Sequence, residues 1–157
     1  MPVIGYVSDP PADLSQPRAS EDQGGVGWCR SNLANNITVQ LAATEHAGLY
    51  SYDFPMGTNT SYSVVVDVSH ALLSFRGLGW EQHYSGGTFK LLNDGHYEGS
   101  GTYSNGWNLL PDWTIYFCGR LSRKAASSRI FSENIATDYN STCFAGTVRL
   151  GGRVQLG

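Results

Sequence analysis

The stretch His96-Tyr97-Glu98-Gly99-Ser100-Gly101-Thr102-Tyr103-Ser104-Asn105-Gly106-Trp107-Asn108-Leu109-Leu110-Pro111-Asp112-Trp113-Thr114-Ile115-Tyr116-Phe117-Cys118-Gly119 decides the fold. It reads as two strand-like pieces around a turn, packed with aromatics, glycines and a few polar groups. In its second piece, period-two alternation puts Trp113, Ile115 and Phe117 on one face. Aromatic rings beside Asn, Asp and Glu also suit a sugar, whose apolar C–H patches alternate with hydroxyls.

Working outward, the same period recurs. Asn93-Asp94-Gly95 joins Thr88–Leu92 to His96–Gly99 and is a strong hairpin signal. Ile37, Val39, Leu41 and Ala43 alternate with polar or small residues, Glu45–Gly48 turns, and Leu49–Phe54 follows as the second strand of a hairpin, closed by Pro55. Ser63–Val68 is a β-branched run suited to burial on both faces. Leu72–Arg76 continues the strand pattern. Val3–Val7 predicts a short strand, followed by a polar loop to residue 26. Residues 119–132 are polar and basic, and Ala125–Ser128 predicts a loop. Ala145–Leu156 supplies one or two last strands, weakened by glycines. No amphipathic helix of ordinary length and no fixed repeat occurs. Strands at roughly ten-residue spacing with turns between predict one all-β domain, an antiparallel β-sandwich across residues 1–157.

Composition agrees. Of 157 residues, 15% are charged, 19 are glycine and 9 are tyrosine, a mixture suited to strands and turns. The net charge of −3 is thinly spread, with no basic stripe for a nucleic-acid partner. No apolar run is long enough for a membrane-spanning helix. The N-terminus lacks a basic region followed by an apolar one, so no signal peptide is expected. Sequons at Asn36, Asn59 and Asn140 lean towards a secretory origin. Both hold if the chain is a fragment of a longer secreted protein.

Three segments in order carry a resemblance: Asn36–Pro55, with Leu41-Ala42-Ala43-Thr44, Gly48 and Tyr50-Ser51-Tyr52-Asp53-Phe54-Pro55; Val65–His70; and Asp94–Gly119. Together they resemble the N-terminal β-sandwich (supersandwich-like) domain of glycoside hydrolase family 92, whose members are α-mannosidases acting on mannose-containing glycans. The last segment is most similar to fungal members. The family's glycine- and histidine-rich opening has no counterpart before Val3, and its Pro-Gly-aromatic-aromatic piece is degraded to Gly25-Val26-Gly27-Trp28-Cys29. The resemblance implies a partial N-terminal domain. It places the general acid, the base and the calcium-binding residues in a helical catalytic domain outside these residues. The chain is then expected to hold no cofactor and no catalytic residue, with the catalytic domain and mannose-type glycans as partners.

Among candidate residues, Asp94 belongs to its turn and Asp112 to the turn after Pro111. Glu98 is strand-borne, with no nameable carboxylate partner. The carbohydrate-binding candidates are Trp107, Asn105, Asn108, Tyr103, Tyr97, Glu98 and Trp113. Trp113, beside Ile115 and Phe117, reads as core in preference to platform. Trp107 lies in a turn, and either a sugar or the catalytic domain would cover it. His46, His70, His83 and His96 show no ligand spacing, so no metal site is assigned. Cys29, Cys118 and Cys143 make an odd count, and Cys118, flanked by Tyr116-Phe117, reads as a buried thiol. Three functions follow: an accessory domain of a mannosidase-like hydrolase in the secretory pathway or outside the cell; a stand-alone lectin-like module; or a non-functional truncated product with open sheet edges that aggregates.

Overall fold

A computed structural model describes residues 1–5, 14–57, 60–71, 74, 77–92, 95–106, 111–123, 125–132, 135–138, 143–146 and 150–156. For residues 132–155 only the backbone pairing is described. The described regular structure is β-strand throughout: β1 (Pro2–Ile4), β2 (Gln23–Gly25), β3 (Trp28–Asn32), β4 (Thr38–Ala43), β5 (Gly48–Asp53), β6 (Tyr62–Asp67), β7 (Gln82–Leu91), β8 (His96–Asn105), β9 (Trp113–Arg120), β10 (Ala125–Ser132), β11 (Ile135–Asp138), β12 (Cys143–Gly146) and β13 (Leu150–Leu156). Among the described residues, no helix is long and apolar enough to cross a membrane.

Three antiparallel sheets result, with orders β1-β6-β13-β10-β11, β12-β7-β8-β9 and β2-β3-β4-β5. The first two form the sandwich. Val68 and Ile130 from the β6 and β10 side meet Phe89 and Leu91 of β7, and Tyr84, Tyr97, Phe117 and Leu156 pack around them. Alternation turns Val65 and Phe131 to the other face of their sheet, where Val3 and Leu14 cover them. Ser63–Val65 is thus buried from both sides, as its β-branched composition demands, and Val66 is half-buried. The third sheet is a local meander. Tyr52, beside Tyr50 on β5, is desolvated, and Tyr97 of β8 acts on it electrostatically. The phenol of Tyr52 is pushed up to about 12 by this burial first and its neighbours second.

The β4–β5 hairpin forms in the register that the Glu45–Gly48 turn implies, with Ala43 opposite Gly48. Thr44 secures it, accepting from the Ala47 N–H at 3.2 Å through its hydroxyl. The β7–β8 hairpin also forms, Leu91 opposite Tyr97. Its strands are longer than the sequence suggests, and a register shift between Tyr84 and Gly86 lets β7 run back to Gln82.

Other expectations need correction. Ala125–Ser132 is a strand, because β13 and β11 pair with it on both sides and override weak local propensity. The loop expected up to residue 26 contains β2, held by β3. The N-terminal strand is described only to Ile4. Leu72, Leu73, Phe75 and Arg76 lie outside the described residues, and Ser74 between them is not in a strand. Cys118 is exposed, because it falls on the outer face of an edge strand.

Candidate functional site

The register across β7, β8 and β9 sorts the candidate residues onto two faces. Leu91–Tyr97–Gly119, Phe89–Gly99–Phe117, Gly87–Gly101–Ile115 and Tyr84–Tyr103–Trp113 form successive rows facing the sandwich interior. Lys90–Glu98–Cys118 and Thr88–Ser100–Tyr116 form rows on the opposite, outer face, where Thr102 and Thr114 also lie.

On the inner face, glycine and aromatic residues alternate for a packing reason. A Cβ on Gly119 would meet two ring atoms and the hydroxyl oxygen of Tyr97, the nearest at 2.3 Å. One on Gly99 would meet the Phe117 ring at 2.8 Å, and one on Gly101 the Tyr103 hydroxyl at 2.6 Å and its ring at 2.8 Å. Each aromatic side chain comes close to a position that only glycine leaves open. Tyr97 stacks on Phe89 with centroids 6.2 Å apart. Tyr103 stacks on Trp113 at 5.0 Å, and its hydroxyl donates to the Val68 carbonyl at 2.5 Å. Burial first, and neighbouring groups second, raise the phenols of both tyrosines. Trp113 Nε1 is buried, with no hydrogen-bond partner among the described residues. Tyr97, Tyr103 and Trp113 therefore pack between the sheets.

Asn105 has a left-handed backbone (φ 62°) and precedes Gly106 at φ 80°. Its type is set by the turn, since asparagine tolerates that conformation. Its Nδ2 reaches the Gly79 carbonyl at 3.5 Å. Trp107 and Asn108 lie outside the described residues, as does Asp94.

Glu98 alone of the described candidates faces outward beside a recess. A shallow depression of about 450 Å³ is lined by Thr88, Lys90, Glu98, Ser100, Tyr116 and Cys118, among others. Lys90 Nζ donates to Glu98 Oε1 at 3.1 Å. Thr88 and Ser100 share a hydrogen bond of 2.9 Å, and Thr102 and Thr114 one of 2.8 Å. Tyr116, 80% exposed, stands over this polar ladder. Sequence reasoning passed over Tyr116 and Lys90. Both were within reach: alternation that turns Ile115 and Phe117 inward turns Tyr116 outward, and the Asn93-Asp94-Gly95 turn sets Lys90 opposite Glu98.

The depression has hydroxyls, a paired cation and anion, and one aromatic face, a set able to hydrogen-bond a polyol. Its lining supplies a single carboxylate, whereas inverting glycoside hydrolysis needs two, roughly 6.5–9.5 Å apart. Among the described residues, no group of three His, Cys, Asp or Glu side chains is placed to hold a metal ion. His46, His70 and His83 are exposed.

Residues 1–155 match the family described as the glycosyl hydrolase family 92 N-terminal domain. The chain belongs to that family. Solved structures agree on the fold. The family GH92 inverting mannosidase BT2199 of Bacteroides thetaiotaomicron superposes with a TM-score of 0.75 at 14% identity, over 100% of this chain and 19% of that one. The family GH92 α-mannosidase BT3965 of the same organism, in complex with mannoimidazole, gives 0.68 at 15% identity, over 86% of this chain and 17% of that one. The 157 residues thus span about a fifth of these relatives. Comparison with curated proteins gives no match.

Proposed function

We propose that this chain is the accessory β-sandwich of an α-mannosidase-like glycoside hydrolase, supporting a catalytic domain and lending a carbohydrate contact without performing hydrolysis itself. The observation that carries this reading is the outer face of β7–β9. It offers polar groups and an aromatic ring, but Glu98 as the lining's one carboxylate, tied to Lys90. A lone carboxylate supplies at most one half of the acid–base pair that hydrolysis needs.

Two further facts support a covering domain. The fold occurs in its relatives as a fifth of a mannosidase chain. The outer face of the third sheet carries Trp28, Ala42 and Leu49 in one cross-strand row, all exposed, with Val26 exposed in the adjoining turn. Large apolar side chains grouped on a surface mark a contact site.

The test is hydrolysis of an aryl α-mannoside by the purified chain with calcium present. No turnover is expected. Turnover that Glu98→Gln abolishes would overturn the reading. The lectin-like alternative is favoured by the exposed Tyr116 beside the Lys90–Glu98 pair. Tight α-mannoside binding to the isolated chain, lost in Tyr116→Ala, would support that alternative instead.

A further inference from the structure

Six strands end the three sheets: β1 and β2 have 3 residues each, β11 and β12 have 4 each, β5 has 6 and β9 has 8. Short edges are a common protection against unwanted pairing, as are proline, lysine, bulges and inward-pointing charges. The long edge has none of these across residues 113–119, and its one charge is Arg120 at the last position. Trp113-Thr114-Ile115-Tyr116-Phe117-Cys118-Gly119 contains no proline and no charge, and its pairing with β8 runs without a register shift.

The direction of its backbone groups follows from one bond. The Leu121 N–H donates to the Gly95 carbonyl at 3.0 Å, just beyond the His96–Arg120 pair. In an antiparallel ladder such bonds alternate, so odd-numbered residues of β9 point their amides at β8. Thr114, Tyr116 and Cys118 point theirs outward, and no described strand meets them. Ile115 is 49% exposed despite facing the inner side, and among the described strands β9 is the last of its sheet.

We infer that β9 pairs antiparallel with β9 of a second copy of this chain, about a two-fold axis through Tyr116, joining two four-stranded sheets into one of eight. The segment is complementary to itself in that register. Ile115 falls opposite Phe117 of the second copy on the inner face, apolar against apolar. Thr114 falls opposite Cys118, Trp113 opposite Gly119, and Tyr116 opposite its own counterpart. No charges meet. The outward amides at positions 114, 116 and 118 all find partners, three donors from each copy. The pairing is isologous and closed, so it stops at a dimer.

Sedimentation velocity of the full 157-residue chain, from low to high micromolar, tests the association. A dimer is expected, and Ile115→Lys weakens it by about tenfold or more through charge repulsion at the edge. Thr114→Cys tests the register. Its thiol would face Cys118 of the second copy with Cα atoms about 5.5 Å apart, within disulfide reach. The same two positions within one strand are about 13 Å apart and cannot bond. Mild oxidation of Thr114→Cys therefore gives a covalent dimer, and adding Cys118→Ser abolishes it. Thr102→Cys, on the middle strand of the same face, does not cross-link. A folded chain that stays monomeric throughout overturns the inference. So does equal cross-linking of Thr102→Cys and Thr114→Cys, or growth beyond a dimer.

Discussion

Gly119→Ala is expected to be far more damaging than an alanine on a half-buried strand ordinarily is, and Tyr97 is the reason. The added methyl would lie 2.3 Å from both Cζ and Oη of Tyr97 and 2.8 Å from Cε2. Either the ring yields or the strands part. If the ring swings away it leaves Phe89 at 6.2 Å and Phe117 at 6.5 Å, two aromatic contacts worth about 0.5–1.5 kcal/mol each. Overpacking elsewhere costs a similar about 1–3 kcal/mol. Gly119→Ala should therefore destabilise by about 2–3 kcal/mol. All three of its close neighbours belong to one side chain, so Tyr97→Ala should remove the penalty. The double variant should be no less stable than Tyr97→Ala alone, a coupling of about 2 kcal/mol. Gly99→Ala provides the contrast. Its methyl would also lie 2.4 Å from the Thr88 carbonyl oxygen, which is backbone, so Phe117→Ala cannot rescue it. Urea unfolding followed by circular dichroism reads all of these. If Gly119→Ala and Tyr97→Ala add to within about 0.5 kcal/mol, the ring does not rest on that glycine and the packing argument fails.

Three more expectations concern the same sheets. Burial pushes the phenols of Tyr52 and Tyr84 up to about 12, above the value near 10 that each has when unfolded. The stability these groups contribute is intact below pH 10 and is lost as pH rises from about 10 to about 12; ultraviolet phenolate absorbance should lag in the folded chain, and Tyr52→Phe should make unfolding less alkali-sensitive. Glu98→Gln should change the free energy of urea unfolding little, within about 1 kcal/mol, since both partners of its ion pair are about half exposed; a larger loss would give the pair a structural role that its exposure does not support. Asn105→Gly should leave the fold intact while Asn105→Val costs about 1–2 kcal/mol, because φ is 62° there; equal stability of the two would show that the turn does not hold that conformation.

The hairpins were legible because their information is local. Asn93-Asp94-Gly95 and Glu45–Gly48 specify turns within a few residues, and the flanking alternation fixes register. β10 was not legible, because Ala125-Ala126-Ser127-Ser128 has little strand preference and its partners lie at positions 135–138 and 150–156. The shared face of Trp113, Ile115 and Phe117 could be read from period two. That this face looks inward could be read from its apolar side chains, but what it meets could not, since Val68 and Ile130 arrive from distant strands. The interleaved glycines and aromatics have the composition of a sugar platform and of rings laid over bare backbone alike. Only the ring that approaches each glycine separates the two, and Tyr97 over Gly119 decides it for that row.

The order of strands in the sandwich has a consequence for synthesis on the ribosome. The meander of β2–β5 draws on one short stretch of sequence and can assemble as soon as residue 53 emerges. The sandwich cannot. β13 is wedged between β6 and β10, and β12 attaches to β7 in the facing sheet. A nascent chain halted before position 143 would lack a strand from each layer. β6 and its buried valines must wait for a partner made some ninety residues later, and during that interval a chaperone would have the most to shield.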